Sequence, residues 1–237
     1  MIIICENGCN FKDIKEAKLM IKRAKEITDK TGVKTLSKFQ IFNESNIRDA
    51  NPEYQEFLRS ITLDYEKAKE LFEYGKSIKQ EVFFTPMFLE AVDWCEYIGV
   101  NYYKIRFKDQ DNLELIDYIF NDMELLFTTE KIFISTDSPN LYHRLGFIPF
   151  SCVPKYPAKF EDYYSIRRHF EKTYYQGISD HTPDFELLEY ALKWEHLRED
   201  VYYFEKHVCL TKDCLESQWS STFKELEEVL EHNSNLE

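Results

Sequence analysis

Two histidines late in the chain, His181 in Gly177-Ile-Ser-Asp-His181-Thr182 and His207 in Phe204-Glu-Lys-His207, lie 26 residues apart, and each closes an apolar, aromatic run. A strand, a crossover helix and a second parallel strand need roughly that much chain. Both imidazoles can therefore emerge at one height from neighbouring strand ends, where they can share a metal ion. Lys38 and Lys104 sit inside other β-rich runs, and a lysine there is costly unless it is paired or binds an anion. Strand side chains alternate faces. Lys38 thus shares a face with Gln40, and Glu205 with His207, while Phe39, Phe204 and Lys206 point the other way. Lysines facing two imidazoles and a carboxylate suit a ligand that is both anionic and metal-bound.

Each of these residues has a plainer reading when taken alone. A strand-end histidine is commonly a structural hydrogen-bonding group, an isolated lysine can belong to an ion pair, and Ser135 or Ser179 can cap a following helix. His143, His169, His196 and His232 fall in helical or connecting segments and read as surface residues. The aromatic content of 16% reads as packing between helices and sheet.

The elements that must position these groups follow from period and punctuation. Short β-rich runs fall near 2–5, 35–42, 81–86, 101–107, 131–136, 147–153, 174–179 and 201–209. Amphipathic helical patterns fall near 13–29, 62–80, 88–98, 112–121, 160–172, 183–197 and 219–231. Strand then helix, repeated about eight times, predicts a closed (β/α)8 TIM barrel, with an open doubly wound sheet as the alternative. The connection from Asp137 to Gly146, between the fifth and sixth strands, is short enough for a turn or two of helix at most. In a barrel the site lies at the C-terminal strand ends. Glu6, Lys38, Gln40, Thr85, Lys104, Ser135, Tyr156, Ser179, His181, Glu205 and His207 all fall in or just after such ends.

At 237 residues and 43% hydrophobic, the chain can bury a large core, and no Pro/Gly/Ser-rich tract marks a linker. We expect one domain over 1–237, with the charged tail at about 231–237 frayed. A net charge of −13 argues against a nucleic-acid surface. The six cysteines lack paired zinc-type spacing and read as free thiols in a reducing compartment. The first residues are too short a run for a signal sequence, and no stretch approaches a membrane span, so the expected location is cytoplasmic.

The placement of these residues resembles the sialic acid synthase (N-acetylneuraminate synthase) family from about residue 2 to about residue 211. The resemblance is carried by Lys38-Phe-Gln40, Phe84-Thr85-Pro86 with Glu90-Ala-Val-Asp93, Tyr103-Lys104-Ile105, Ile134-Ser135-Thr136, Cys152-Val-Pro-Lys-Tyr156-Pro157, Gly177-Ile-Ser179-Asp180-His181-Thr182 and Glu205-Lys206-His207. It implies a synthase that condenses phosphoenolpyruvate with an N-acylated hexosamine such as N-acetylmannosamine. The product is a nonulosonic, sialic-type acid, with release of phosphate. His181 and His207 match the family's metal-binding histidines, for manganese or magnesium. Lys38, Thr85, Lys104, Ser135 and Ser179 match positions that bind phosphoenolpyruvate. Glu6 and Glu205 match acidic residues near the reacting carbons, and Gln40, Tyr156 and Asp180 match other pocket positions.

Departures qualify the resemblance. Asn10-Phe11-Lys12-Asp13 replaces the family's Asn-His-Asn-Gly, Phe107 stands for a small serine, Pro154 for an asparagine and Asp137 for a glycine. The family's late Asp-His pair has no clear match in Leu215-Glu-Ser-Gln-Trp219, and the barrel is expected to stand without the family's C-terminal antifreeze-like domain. A homo-oligomer or a separate lid-domain partner is then expected to close the site over its small-molecule substrates. Two other readings stand beside the synthase. One is a non-catalytic barrel that binds phosphoenolpyruvate or a related anion, or serves as a partner subunit in sugar biosynthesis. The other is an aldolase for a phosphorylated sugar, with Arg106 and Lys155 as its extra basic residues.

Overall fold

The computed structural model describes residues 1–122, 131–163, 175–195 and 203–234. Eight parallel strands run in sequence order: β1 (Ile2–Gly8), β2 (Thr35–Ile41), β3 (Val82–Pro86), β4 (Tyr102–Ile105), β5 (Lys131–Ser135), β6 (Ile148–Cys152), β7 (Gly177–Asp180) and β8 (Tyr203–Cys209). Pairing of β1 with β8 closes the barrel, which decides against the open sheet. A two-residue β9 (Ser221–Thr222) extends from β8. Around the barrel lie α1 (Ile14–Thr31), α4 (Tyr65–Ser77), α5 (Leu89–Ile98), α6 (Leu113–Asp122), α8 (Glu186–Glu195) and α9 (Phe223–Ser234). The thin wall expected after β5 is there, as the six-residue α7 (Pro139–Arg144).

Two helices were not foreseen, α2 (Glu44–Arg48) and α3 (Pro52–Ile61), inserted between β2 and α4. Their local signals are caps. Asn43 closes a reciprocal capping box with Asn46, while Asn51 caps α3 ahead of Pro52, where a missing N–H costs nothing. The last helix, α9, runs through Ser234. The helix pattern near 160–172 and residues His169 and His196 fall largely or wholly outside the described residues. His143 is half-buried and His232 exposed.

Strand alternation sorts the strand side chains into two sets. Outward-facing Ile3, Cys5, Phe39, Phe84, Ile134 and Phe204 pack with the helices in the larger core. Inside the barrel, Ile4, Leu36, Phe83, Phe133, Phe150 and Tyr203 form a separate apolar floor. Each fully buried aromatic contributes roughly 1.5–3 kcal/mol by leaving water. Gly177 belongs to this layer because a Cβ there would lie 2.6 Å from the Phe150 ring. One pleat further along the same strands come the polar residues. The floor thus seals the barrel bottom and leaves the polar groups facing its C-terminal mouth.

Candidate functional site

Parallel register brings the charged residues to one level: Glu6 is opposite both Lys38 and His207, and Ser179 is opposite Glu205. Glu6, Lys38, Lys104 and Glu205 are each no more than 3% exposed. Lys38 Nζ pairs with Glu6 Oε2 and, at 2.9 Å, with Glu205 Oε2. Lys104 Nζ lies 3.2 Å from the same Glu205 oxygen, as an ion pair without hydrogen-bond alignment, and 3.9 Å above the centre of the Phe150 ring. The second Glu205 oxygen accepts the Ser179 hydroxyl at 2.7 Å. Glu6 Oε1 accepts the Gly8 N–H at 2.7 Å, and Gln40 reaches its other oxygen at 3.4 Å.

These contacts set the charge states. Burial opposes ionisation of Glu205, but Lys104 and Lys38 outweigh it and hold the carboxyl below the usual range. Burial likewise opposes a charged Lys38, and Glu205 with Glu6 keeps its pKa above the ordinary value. Lys104 has the weaker partner. Burial, joined by repulsion from Lys38, brings it down to about 8 despite Glu205. The Thr85 hydroxyl is buried and has no partner among the described residues. Cys152, not singled out from sequence, lies within hydrogen-bonding reach of Ser135 and Ser179; burial pushes its thiol up to about 11, which makes it unreactive.

The histidines stand beside this cluster. Their ring centroids are 5.2 Å apart, and both residues are buried. Two imidazoles bound through nitrogen at about 2.1 Å to one ion, at a near-tetrahedral angle, place their centroids about 5 Å apart, so the pair fits a shared divalent ion. Each Nδ1 is already engaged, His181 with the Val153 carbonyl at 2.7 Å and His207 with Glu216 Oε2 at 2.9 Å. Burial and the neighbouring His207 bring His181 down to about 3, so it is neutral. For His207 burial acts in the same direction, but Glu216 outweighs it and raises the pKa. Among the described residues no three His, Cys, Asp or Glu side chains are grouped as a metal-ligand set.

Solved structures confirm the architecture. The N-acetylneuraminic acid (sialic acid) synthetase of Leptospira borgpetersenii serovar Hardjo-bovis superposes with a TM-score of 0.81 at 21% identity, covering 99% of this chain and 82% of that one. The spore coat polysaccharide biosynthesis protein SpsE of Bacillus subtilis gives 0.71 at 19% identity, covering 99% of this chain and 67% of that one. An uncharacterized protein of Methanocaldococcus jannaschii is 27% identical over 173 residues, 68% of this chain and 48% of its own length. The chain thus spans about half of that curated relative. The NeuB family model matches residues 13–237.

The chain belongs to the NeuB family.

In this NeuB barrel the mouth gathers Glu6, Lys38, Gln40, Thr85, Lys104, Ser135, Ser179, His181, Glu205 and His207 from seven strands. Tyr156 joins them from the loop after β6, with its ring 4.2 Å from that of His181 and 5.4 Å from that of Trp219. Asp180 lies apart from this group. Its carboxylate pairs with Lys206 Nζ at 2.8 Å and accepts the Thr182 N–H, with the Lys206 ammonium 5.7 Å from the Phe185 ring. Strand alternation points Asp180 away from Ser179, so it braces the outer face of β7 and β8. Arg106 and Lys155 are paired with Asp109 and Asp162 of their own loops.

Sequence reasoning missed Glu216 of this NeuB chain, which lies within Leu215-Glu-Ser-Gln-Trp219. Its only sequence signal was a carboxylate nine residues after His207 in a loop of irregular pattern. Tyr163 was missed as well. Its hydroxyl accepts the His181 N–H at 3.1 Å and donates to the Ser179 carbonyl at 2.9 Å, which fixes the end of β7.

Proposed function

We propose that the barrel is a metal-dependent synthase that condenses phosphoenolpyruvate with an N-acylated hexosamine of the N-acetylmannosamine type. The products are a nonulosonic, sialic-type acid and phosphate. The observation that carries this reading is the pair of buried lysines beside a Thr85 hydroxyl that has no partner among the described residues, set against two imidazoles whose Nδ1 atoms are both engaged. The similarity to a protein named as a sialic acid synthetase supports it.

Without ligand, two lysines and two glutamates balance one another. A multiply anionic ligand would enter by exchange, taking Lys38, Lys104 and the hydroxyls of Thr85, Ser135 and Ser179 as donors. Glu205 would then share its lysines with the ligand, and its basicity would rise towards that of an ordinary carboxylate. Substrate binding itself would prepare Glu205, or Glu6 beside it, to take a proton from the water that adds to the central carbon. A divalent ion, manganese or magnesium, held by His181 and His207 supplies Lewis acidity towards the acceptor's aldehyde oxygen. The new carbon–carbon bond joins the phosphoenolpyruvate methylene to that aldehyde carbon. Water supplies the oxygen of the keto group, and the phosphate leaves. Gln40 and Tyr156 at the rim would face the acceptor.

The test is to incubate the protein with manganese, phosphoenolpyruvate and a panel of N-acylated hexosamines, and to measure phosphate and keto acid together. The expected result is equal, acceptor-dependent formation of both. Folded, metal-loaded protein that releases no acceptor-dependent phosphate with any sugar overturns the synthase. Calorimetric binding of phosphoenolpyruvate in that same protein would assign it to the non-catalytic, anion-binding reading.

A further inference from the structure

We propose that Glu216, seated by Gly8 and Asn10, is a positioning residue that fixes the tautomer of His207 and turns its Nε2 lone pair towards the metal position. The proposal rests on reading the two histidines as a metal half-site, and it assigns a role to two loops whose sequences gave no reason to connect them.

The carboxylate lies 2.9 Å from His207 Nδ1, with both side chains largely out of solvent. A carboxylate partner accepts the hydrogen bond at 2.9 Å, so in the neutral ring the proton belongs on Nδ1 and the lone pair on Nε2. Such outer carboxylates raise the basicity of a ligating imidazole and hold its orientation. His181 is served differently, because a backbone carbonyl does the same task.

Glu216 comes from an irregular loop, and such a residue needs a seat. Asn10 provides it from the opposite side of the barrel seam. Its Oδ1 accepts the Glu216 N–H at 3.1 Å, while its Nδ2 donates to Glu216 Oε2 at 3.0 Å. The same amide nitrogen reaches the Val208 carbonyl and the Ser220 hydroxyl, each at 2.9 Å. One side chain therefore holds the backbone and the carboxylate of Glu216 and ties them to the end of β8.

Gly8 supplies the space. It follows an irregularity in the β1–β2 register after Glu6, has φ +45°, and a Cβ there would lie 2.7 Å from Glu216 Oε2. Any side chain would push the carboxylate off its position, and positive φ independently favours glycine. The strand that carries Glu6 inward thus also carries, two and four residues later, the seat for the partner of His207.

Nitrogen-15 correlation spectra of the metal-free, full-length protein read the tautomers directly, and free-manganese measurements by electron paramagnetic resonance read affinity. Recorded at a pH where the His207 ring is neutral, wild type should show it protonated at Nδ1 alone. Glu216→Ala should move it towards the Nε2–H form, leave His181 unchanged as an internal reference, and weaken manganese binding roughly 10–100-fold. Glu216→Gln, whose amide oxygen still accepts, should keep the tautomer and much of the affinity. Gly8→Ala should imitate Glu216→Ala although the carboxylate is intact. An Nε2–H tautomer for His207 in wild type overturns the proposal without any variant, as does an unchanged tautomer and affinity in folded Glu216→Ala. If wild type binds no manganese while the tautomer responds as expected, the metal reading fails and the positioning role stands.

Discussion

The two halves of the barrel mouth solve opposite electrostatic problems. In the lysine half, four ionisable groups are buried and two carboxylates neutralise two ammonium ions. In the histidine half the groups that would bind are lone pairs, and hydrogen bonds on the far side of each ring hold them in place. Under the proposed function the first half would exchange internal partners for a ligand, whereas the second would keep its partners. This difference teaches that stability and function are entangled around Glu205 and largely separable around the histidines.

The largest effect that could break this contrast is on stability. Glu205→Gln leaves Lys38 with Glu6 alone and Lys104 with no carboxylate, and should cost about 3–5 kcal/mol in urea unfolding. His207→Gln should cost clearly less while abolishing manganese binding. Equal losses for the two variants would dissolve the distinction.

Lys104→Met sharpens it next. Because burial already disfavours the Lys104 charge, the variant should unfold at about the same urea concentration as wild type. Loss of a charge-assisted contact of about 1.5–3 kcal/mol should weaken phosphoenolpyruvate binding roughly 10–150-fold by calorimetry. A large loss of stability would show that Lys104 is structural.

Titration gives a third, smaller effect. With Lys104 at about 8 in the folded protein and about 10.4 in an unfolded chain, the unfolded state binds more protons between those values. The ligand-free protein therefore gains stability from this group as pH rises through that window. A bound anion restores the Lys104 proton, so phosphoenolpyruvate affinity should fall above about pH 8, by at most about tenfold per pH unit. Affinity that is flat to pH 9.5 would remove Lys104 from the anion site. The smallest effect is expected from Gln40→Ala, whose contact with Glu6 is long at 3.4 Å. Stability should change by less than about 1 kcal/mol, with any defect confined to acceptor dependence.

The sequence made the strands legible as short β-rich runs, and side-chain parity could be read where polar residues recur within them. It separated Lys38, Gln40, Glu205 and His207 from Phe39, Phe204 and Lys206, and the barrel places the two sets on opposite faces. The helices α2 and α3 escaped because short helices carry little periodicity and show themselves mainly through Asn43 and Asn51 caps. Asp180 was placed by its neighbours in a motif rather than by its own parity with Ser179. Glu216 had no pattern at all.

What the residues determined by themselves was the succession of strands and helices, and which side chains share a face, because both depend on interactions within a few positions. Closure of β8 onto β1 decided the rest. Only that pairing sets Glu6 against His207, brings Glu205 to both lysines, and lays Gly8 and Asn10 under Glu216. The contacts of Asn10 with Glu216 and Val208 span 206 and 198 residues, and no local preference of the chain encodes them.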